Sequence, residues 1–273
     1  SAAIVNKIQN KFIKQNQIKV EDTLKFLTKT SIIFRKNIDT KIVAITGSCG
    51  KTSLKELLGN TLKKISKVSI SPKSYNNKYG VPLSLLNLNP NDDYGILEVG
   101  MDKKGEIDNL TNIIKPNISV ITNINYAHAK NFKNIKHIAL AKAEIMNNTN
   151  QGGFIILNAD DNFYKLHKKI ADKKKLNIIS FGIKNKKSDI KLLNIKRKKT
   201  YFKITIKSKN FKKSFLITNN FESIIYNILA AVAVMSVHLN ILNLDSRIFL
   251  NYKIPEGRGD LSKIKIKNKN INL

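Results

Sequence analysis

The chain has a single cysteine, Cys49, so no disulfide framework can form. A reducing, cytoplasmic setting fits that scarcity. Acidic residues are also few: 19 Asp and Glu stand against 49 Lys and Arg, a formal charge of +30 over 273 residues. Such a charge raises nucleic acid and acidic membrane surfaces as partners. The lysines, however, are scattered over every segment with no aromatics gathered among them. The chain is rich in Lys, Asn and Ile and poor in Ala, Gly and Arg, as a drift toward AT-rich codons produces, and no specific nucleic-acid partner is expected. Long apolar runs are missing too. The longest, 224–237, is interrupted by Asn227 and is too short to span a bilayer. Ser1-Ala2-Ala3 lacks the charged front and apolar core of a secretory leader. The chain starts without Met and closes on the strand-like IKIKNKNINL, so it reads as a piece of something longer, expected to be a monomer. With 42% hydrophobic residues, a real core is possible.

What is present is organised around KIVAITGSCGKTS, residues 41–53. The apolar run 42–45 reads as a buried parallel strand; it breaks into a loop holding Gly47 and Gly50, and Lys51-Thr52-Ser53 opens a helical pattern. Strand, glycine loop and helix start make a phosphate cradle. Glycine lets backbone approach the anion without a Cβ, and the N–H groups and dipole of the helix start face it. Lys51 adds a cation and Thr52 a hydroxyl for Mg²⁺. The loop is the short G-x-x-G-K-T form, since Ile45 stands where the longer pattern has its first glycine.

Residues 18–20 read as a short strand, and Asp22 as the cap of a helix with Leu24, Leu27 and Ser31 on one face. From Lys41 strands and helices alternate, which predicts a mostly parallel, doubly wound α/β sheet. Strands are expected at 42–46, 94–99, 118–124, 153–158 and 177–181, and helices at 52–64, 81–88, 105–114, 134–147 and 162–173. Residues 189–195, 200–206 and 213–218 alternate apolar and polar residues without helices between them and read as a small antiparallel portion at the sheet edge. A long apolar helix at 221–239, a shorter one at 244–252, a Pro255–Gly259 linker and a final strand complete the expectation.

In a parallel sheet the ligand lies beyond the carboxyl ends of the strands. The phosphate loop, Glu98, His128 and Asn158 all fall at such ends. Beside a phosphate loop, a carboxylate and an imidazole read as Mg²⁺ ligands, because Mg²⁺ takes few protein ligands and fills the rest with water and substrate oxygens. Lys142, on the helix after His128, reads from sequence alone as a solvated helix lysine.

TGSCGKT at 46–52, the Glu98 strand end, Thr122-Asn123-Ile124 leading to Ala127-His128, Ala141-Lys142 and Leu157-Asn158-Ala159-Asp160-Asp161 come in the order that resembles the Mur ligase family. Residues 75–83, YNNKYGVPL, and Glu98-Val99-Gly100-Met101 with Gly105-Glu106-Ile107 look most like its MurF type. The resemblance covers roughly residues 20–260 and implies an ATP-dependent ligase of cell-wall synthesis. It implies UDP-N-acetylmuramoyl-tripeptide and D-alanyl-D-alanine as substrates, with ATP and Mg²⁺ as cofactors and an acyl phosphate as intermediate. By position, the resemblance assigns Gly47, Ser48, Cys49, Gly50, Lys51, Thr52 and Ser53 to the phosphates, Asn227 to adenine and Arg258 to a phosphate. Thr52 and Glu98 would hold one Mg²⁺, and His128 would help hold a second. Lys142 matches a lysine that the family carbamylates, giving it a negative charge able to ligate metal. Lys51, His128 and Lys142 are thus the expected catalytic set, and Asn76 and Asn77 lie on the muramyl-peptide side. The resemblance divides the chain into the tail of a UDP-sugar-binding domain (1–40), a central ATP-binding domain (41–252) and the hinge and first strand of a third domain (253–273). Alone, such a chain is expected to bind nucleotide weakly and not to ligate.

Ser223 and Ile224 stand where the family has His-Asn, and Cys49 where Asn or Ser is commoner. Three other readings stay open: a ligase of the family with another substrate, including a folylpolyglutamate synthetase-like enzyme; a phosphate-loop ATPase that binds nucleic acid; and a nucleotide-binding module without catalysis.

Overall fold

The structure, a computed structural model, describes residues 2–13, 16–126, 131–253, 255, 263–266 and 269–272. Strands β1 (Ala3–Val5) and β2 (Gln17–Lys19) form a small parallel pair, followed by helix α1 (Thr23–Lys36). Asp22 caps α1 as its sequence predicts, accepting from Leu24 N and Lys25 N, and Ser31 is the buried residue of its inner face. Then follow β3 (Lys41–Thr46), α2 (Lys51–Leu62), β4 (Val68–Ile70), α3 (Gly80–Leu86), β5 (Tyr94–Glu98), α4 (Glu106–Ile114), β6 (Ile118–Ile121) and α5 (Ile135–Ala143). β7 (Phe154–Asn158), α6 (Tyr164–Lys173), β8 (Asn177–Gly182), β9 (Ile190–Arg197), β10 (Phe202–Lys207), β11 (Lys212–Ile217) and α7 (Glu222–Met235) complete the main body, and β12 (Lys263–Ile266) pairs with β13 (Lys269–Asn272).

Among the described residues the main sheet runs β11-β10-β9-β8-β7-β6-β3-β5-β4. Strands β4 to β8 are parallel to their neighbours, β9 joins β8 in parallel over two residue pairs, and β9, β10 and β11 are antiparallel. β3 sits between β5 and β6, where the connections change direction, and a crevice opens there beyond the strand ends. Because side chains alternate along a strand, β3 feeds two cores. Val43 and Ile45 face α2 and α7, while Ile42 and Ala44 face the side of α3, α4 and α5. On β5 Ile96 points to the first side and Leu97 to the second, so the alternation sends Glu98 toward α2. The same count on β7, from Ile156, sends Asn158 to that side.

Several expected boundaries move. β4 was not anticipated, because three half-buried residues at a sheet edge carry too short a pattern. Strand 118–124 ends at Ile121, where the chain turns to fasten the phosphate loop. Helix 134–147 tightens into a 3₁₀ turn at Glu144–Asn147, and α7 stops at Met235. The helix expected at 244–252 is absent: i→i+3 turns occupy it, started by Asp245, whose side chain accepts from Arg247 N. Local side-chain bonding of this kind competes with helix formation.

α1 lies against α3 and α4, and Arg35 fastens it. Its guanidinium donates to Ile114 O (2.7 Å), Ile38 O (3.1 Å), Lys115 O (3.1 Å) and Asn117 Oδ1 (3.3 Å), satisfying the carbonyl end of α4. Lysine cannot present that planar fork. Arg35→Lys is expected to destabilise the chain by about 2 kcal/mol in urea unfolding; a change within a few tenths would show that this contact does not hold α1.

Candidate functional site

The loop after β3 is shaped by its glycines. Gly47 has φ 149, and a Cβ there would lie 1.8 Å from Thr122 Oγ1. Gly50, at φ 82, begins α2, which has no side-chain cap. The loop is fastened to the residues that follow β6. Thr122 Oγ1 donates to Cys49 O (2.6 Å). Asn123 Oδ1 accepts from Cys49 N (3.0 Å), its Nδ2 donates to Cys49 O (3.1 Å), and its own carbonyl accepts from Ser48 N (2.9 Å). Ser48 and Asn125 exchange a reciprocal pair, hydroxyl to carbonyl at 2.9 Å and backbone N–H to hydroxyl at 2.8 Å. Lys51 folds back over the loop to donate to Gly47 O (3.0 Å). The result is a rigid concavity of backbone N–H groups at the positive end of a helix, with a lysine above it.

Glu98 ends β5 at 1% exposure, facing α2 as its register requires. Thr52 Oγ1 donates to its Oε2 (2.8 Å) and Asn76 Nδ2 to its Oε1 (2.7 Å). A hydroxyl and a carboxylate in contact at a phosphate cradle are hard oxygen donors of the kind a small divalent cation takes, with water and ligand oxygens filling the other positions. No cluster of three or more His, Cys, Asp or Glu able to hold a metal occurs among the described residues.

A cleft of about 980 Å³ opens beside the loop, lined by Ser48, Cys49, Gly50, Lys51 and Ser53. Asn158 and the first turns of α7, with Tyr226 and Asn227, close it. A second cleft of about 520 Å³ is lined by Asn76, Asn77, Tyr79, Met101 and Asp102. Lys51 lines both, so one cation stands between the two spaces. Gly47, Thr52, Glu98 and Lys142 lie behind these surfaces. Asn77 spends its side-chain oxygen on Tyr79 N and Gly80 N, holding the turn into α3. At the cleft's far wall, burial alone would raise the Asp160 carboxyl. Bonds from the N–H groups of Lys184, Ile183 and Asn185 and from the Tyr226 hydroxyl instead hold it below its ordinary value.

Lys142 overturns its sequence reading: it is 1% exposed, not solvated. Burial pushes its ammonium down to about 7, helped by the charge of Lys51 and opposed by Cys49. His128 and Arg258 lie outside the described residues. The remaining expected positions converge around the carboxyl end of β3. The sequence reading missed the fastening role of residues 123–125; the Asn123 side chain just after a buried strand was the available signal, whereas Asn125 acts through its backbone alone.

The model of the Mur ligase middle domain matches residues 45–235. The chain belongs to the Mur ligase family. Among its relatives, the UDP-N-acetylmuramoyl-tripeptide--D-alanyl-D-alanine ligase of Buchnera aphidicola subsp. Acyrthosiphon pisum is 39% identical over 183 residues, covering 64% of this chain and 40% of the relative. Among solved structures, MurF from Acinetobacter baumannii superimposes with a TM-score of 0.84 at 26% identity, over 98% of this chain and 58% of that one. MurF ligase from Thermotoga maritima in complex with ADP gives 0.80 at 25% identity, over 96% and 59%. The chain thus spans about two fifths of the length of the curated relatives it matches.

The buried lysine makes a pH prediction. Unfolded, Lys142 titrates near its ordinary 10.5; folded, near 7. Between those values the unfolded chain holds more protons, so Lys142 makes stability rise with pH, and below 7 its cost is constant. Lys142→Met is therefore expected to stabilise the chain relative to the parent at pH 6, and to lose on the order of 2 kcal/mol of that advantage by pH 9. Denaturant unfolding at both pH values checks this; a difference independent of pH would contradict it.

Proposed function

We propose that this chain carries the ATP-binding centre of an ATP-dependent amide ligase that adds D-alanyl-D-alanine to UDP-N-acetylmuramoyl-tripeptide in peptidoglycan synthesis. The observation that carries the reading is Lys51 standing between two clefts, above a phosphate loop backed by Thr52 and Glu98. The names of the relatives, and the ADP in the Thermotoga maritima structure, support it.

On this reading the larger cleft takes ATP. The backbone of residues 47–52 and Lys51 grip the β- and γ-phosphates, with Ser48, Cys49, Gly50 and Ser53 forming the rim, and Asn227 meets the adenine. Thr52 and Glu98 would hold Mg²⁺, to which their oxygen donors are suited, and His128 would contribute to a second ion. Bound there, Mg²⁺ would neutralise charge on the phosphate oxygens. The smaller cleft takes the muramyl peptide beside Asn76 and Asn77, with its terminal carboxylate toward Lys51. A carboxylate oxygen attacks the γ-phosphorus and ADP leaves, forming the acyl phosphate. The amine of the dipeptide then adds to the acyl carbon, loses a proton, and phosphate departs with the C–O bond electrons. Lys51, shared by both spaces, stays against the transferring phosphoryl group and offsets its charge. Lys142, with a substantial neutral fraction near pH 7, has the lone pair needed to take up CO₂ as a carbamate. That modification turns a buried cation into an anion facing Lys51. Arg258 would reach a phosphate from the hinge that follows residue 252. Residues 41–252 form the nucleotide-binding unit on this reading, with 1–40 and 253–273 belonging to the flanking domains. The reaction takes place in the cytoplasm, where nucleotide precursor and ATP are both available.

Isothermal titration of the chain with ADP and Mg²⁺ tests the reading. Saturable binding is expected, weakened at least about tenfold by Lys51→Ala, as removal of a charge-assisted contact in a shielded site implies. No binding by the parent chain, or equal binding by Lys51→Ala, would overturn it.

A further inference from the structure

Lys55 is a feature the reading above does not use. It lies one turn beyond Lys51 on α2, three residues after Thr52, and is 0% exposed. An ammonium that deep is strongly unfavourable unless it is fully bonded. Its Nζ donates to Ser71 O at 2.6 Å and to Lys73 O, and lies 3.2 Å from Glu56 Oε1. Lys73 has φ 45, an uncommon left-handed conformation for a lysine, at the place where the chain turns toward Asn76.

The segment Lys55 holds leads back to the candidate metal pair. Ser71 Oγ accepts from Glu98 N (3.3 Å), and Ser71 N donates to Ile96 O (2.9 Å), which ties the start of the loop to β5. Five residues on, Asn76 O accepts from Gly100 N (2.7 Å) while Asn76 Nδ2 donates to Glu98 Oε1 (2.7 Å). Glu98 Oε2 in turn accepts from Thr52 Oγ1. The bonds close a ring: out from α2 through Lys55, along residues 71–76, across Glu98, and back to α2 at Thr52.

We infer that Lys55 is a positioning residue, which through residues 71–76 sets the orientation of the Glu98 carboxylate that Thr52 and Mg²⁺ share. The inference rests on the nucleotide reading above and concerns only the cation side of the site. The phosphate loop is held from the other direction, by residues 122–125, and does not depend on this ring. Lys55 therefore affects how well the cation is held and leaves the grip on the phosphates nearly unchanged.

The test is a double-mutant cycle on the 273-residue chain with Lys55→Met, Asn76→Ala and both, reading ADP affinity by titration calorimetry without Mg²⁺ and across a Mg²⁺ series. Each single variant is expected to raise the Mg²⁺ concentration for half-maximal enhancement roughly tenfold or more, as loss of a partner behind a metal ligand does. Mg²⁺-free ADP affinity should change less than about twofold. The double variant is expected to add little beyond either single one, because both break the same ring. Should Lys55→Met fail to fold, Lys55→Gln, whose amide can keep one carbonyl contact, replaces it in the cycle: a raised Mg²⁺ requirement with little change in Mg²⁺-free affinity supports the inference, and an unchanged Mg²⁺ requirement overturns it. Equal loss of affinity with and without Mg²⁺, unchanged Mg²⁺ dependence, or fully additive shifts would each overturn the inference. Failure of the parent chain to bind ADP would instead overturn the nucleotide reading itself.

Discussion

The site depends on one constraint: the loop after β3 is locked to the end of its neighbour β6. Gly47 passes so close to Thr122 that no side chain fits, and Asn123 takes both the N–H and the carbonyl of Cys49. A loop of backbone N–H groups binds an anion well only if it need not reorganise to do so. Here the parallel pairing of β3 with β6 supplies that rigidity, because it brings the two strand ends to the same rim in register.

The other strand ends follow from the same alternation of side chains. Val43 and Ile45 face α2, so the matching positions of β5 and β7 face it too, and the last of these are Glu98 and Asn158. Each is a polar residue at the final position of a strand whose preceding residues on that face are apolar. The core and the site are thus one pattern, with oil along the strand and donors at its tip. α2 closes the arrangement, since its first turn offers Lys51 to both clefts and Thr52 to Glu98, and its second places Lys55 behind them.

Much of this was legible in the amino-acid sequence. The alternation of apolar strands and helices from Lys41 to Gly182 announced the parallel sheet, and the glycines with Lys51-Thr52 announced the cradle. What escaped was set by contacts distant in sequence. Lys142 reads as a surface lysine because helical position alone does not show that the fold buries it near Lys51 and Cys49. Lys55, equally charged, hides among the leucines of α2. The absent helix at 244–252 shows the reverse error: apolar spacing suited a helix, but the Asp245 side chain bonded its own backbone first. β4 was too short to show any period.

The most direct measurement is a crystal structure of the chain with ADP and Mn²⁺, the ion located by its anomalous scattering. A peak at about 2.1 Å from Thr52 Oγ1 or a Glu98 carboxylate oxygen, with the β-phosphate seated on the N–H groups of residues 50–52, is the predicted result. ADP bound with its phosphates away from that loop, or no metal peak at Thr52 or Glu98, would contradict the account.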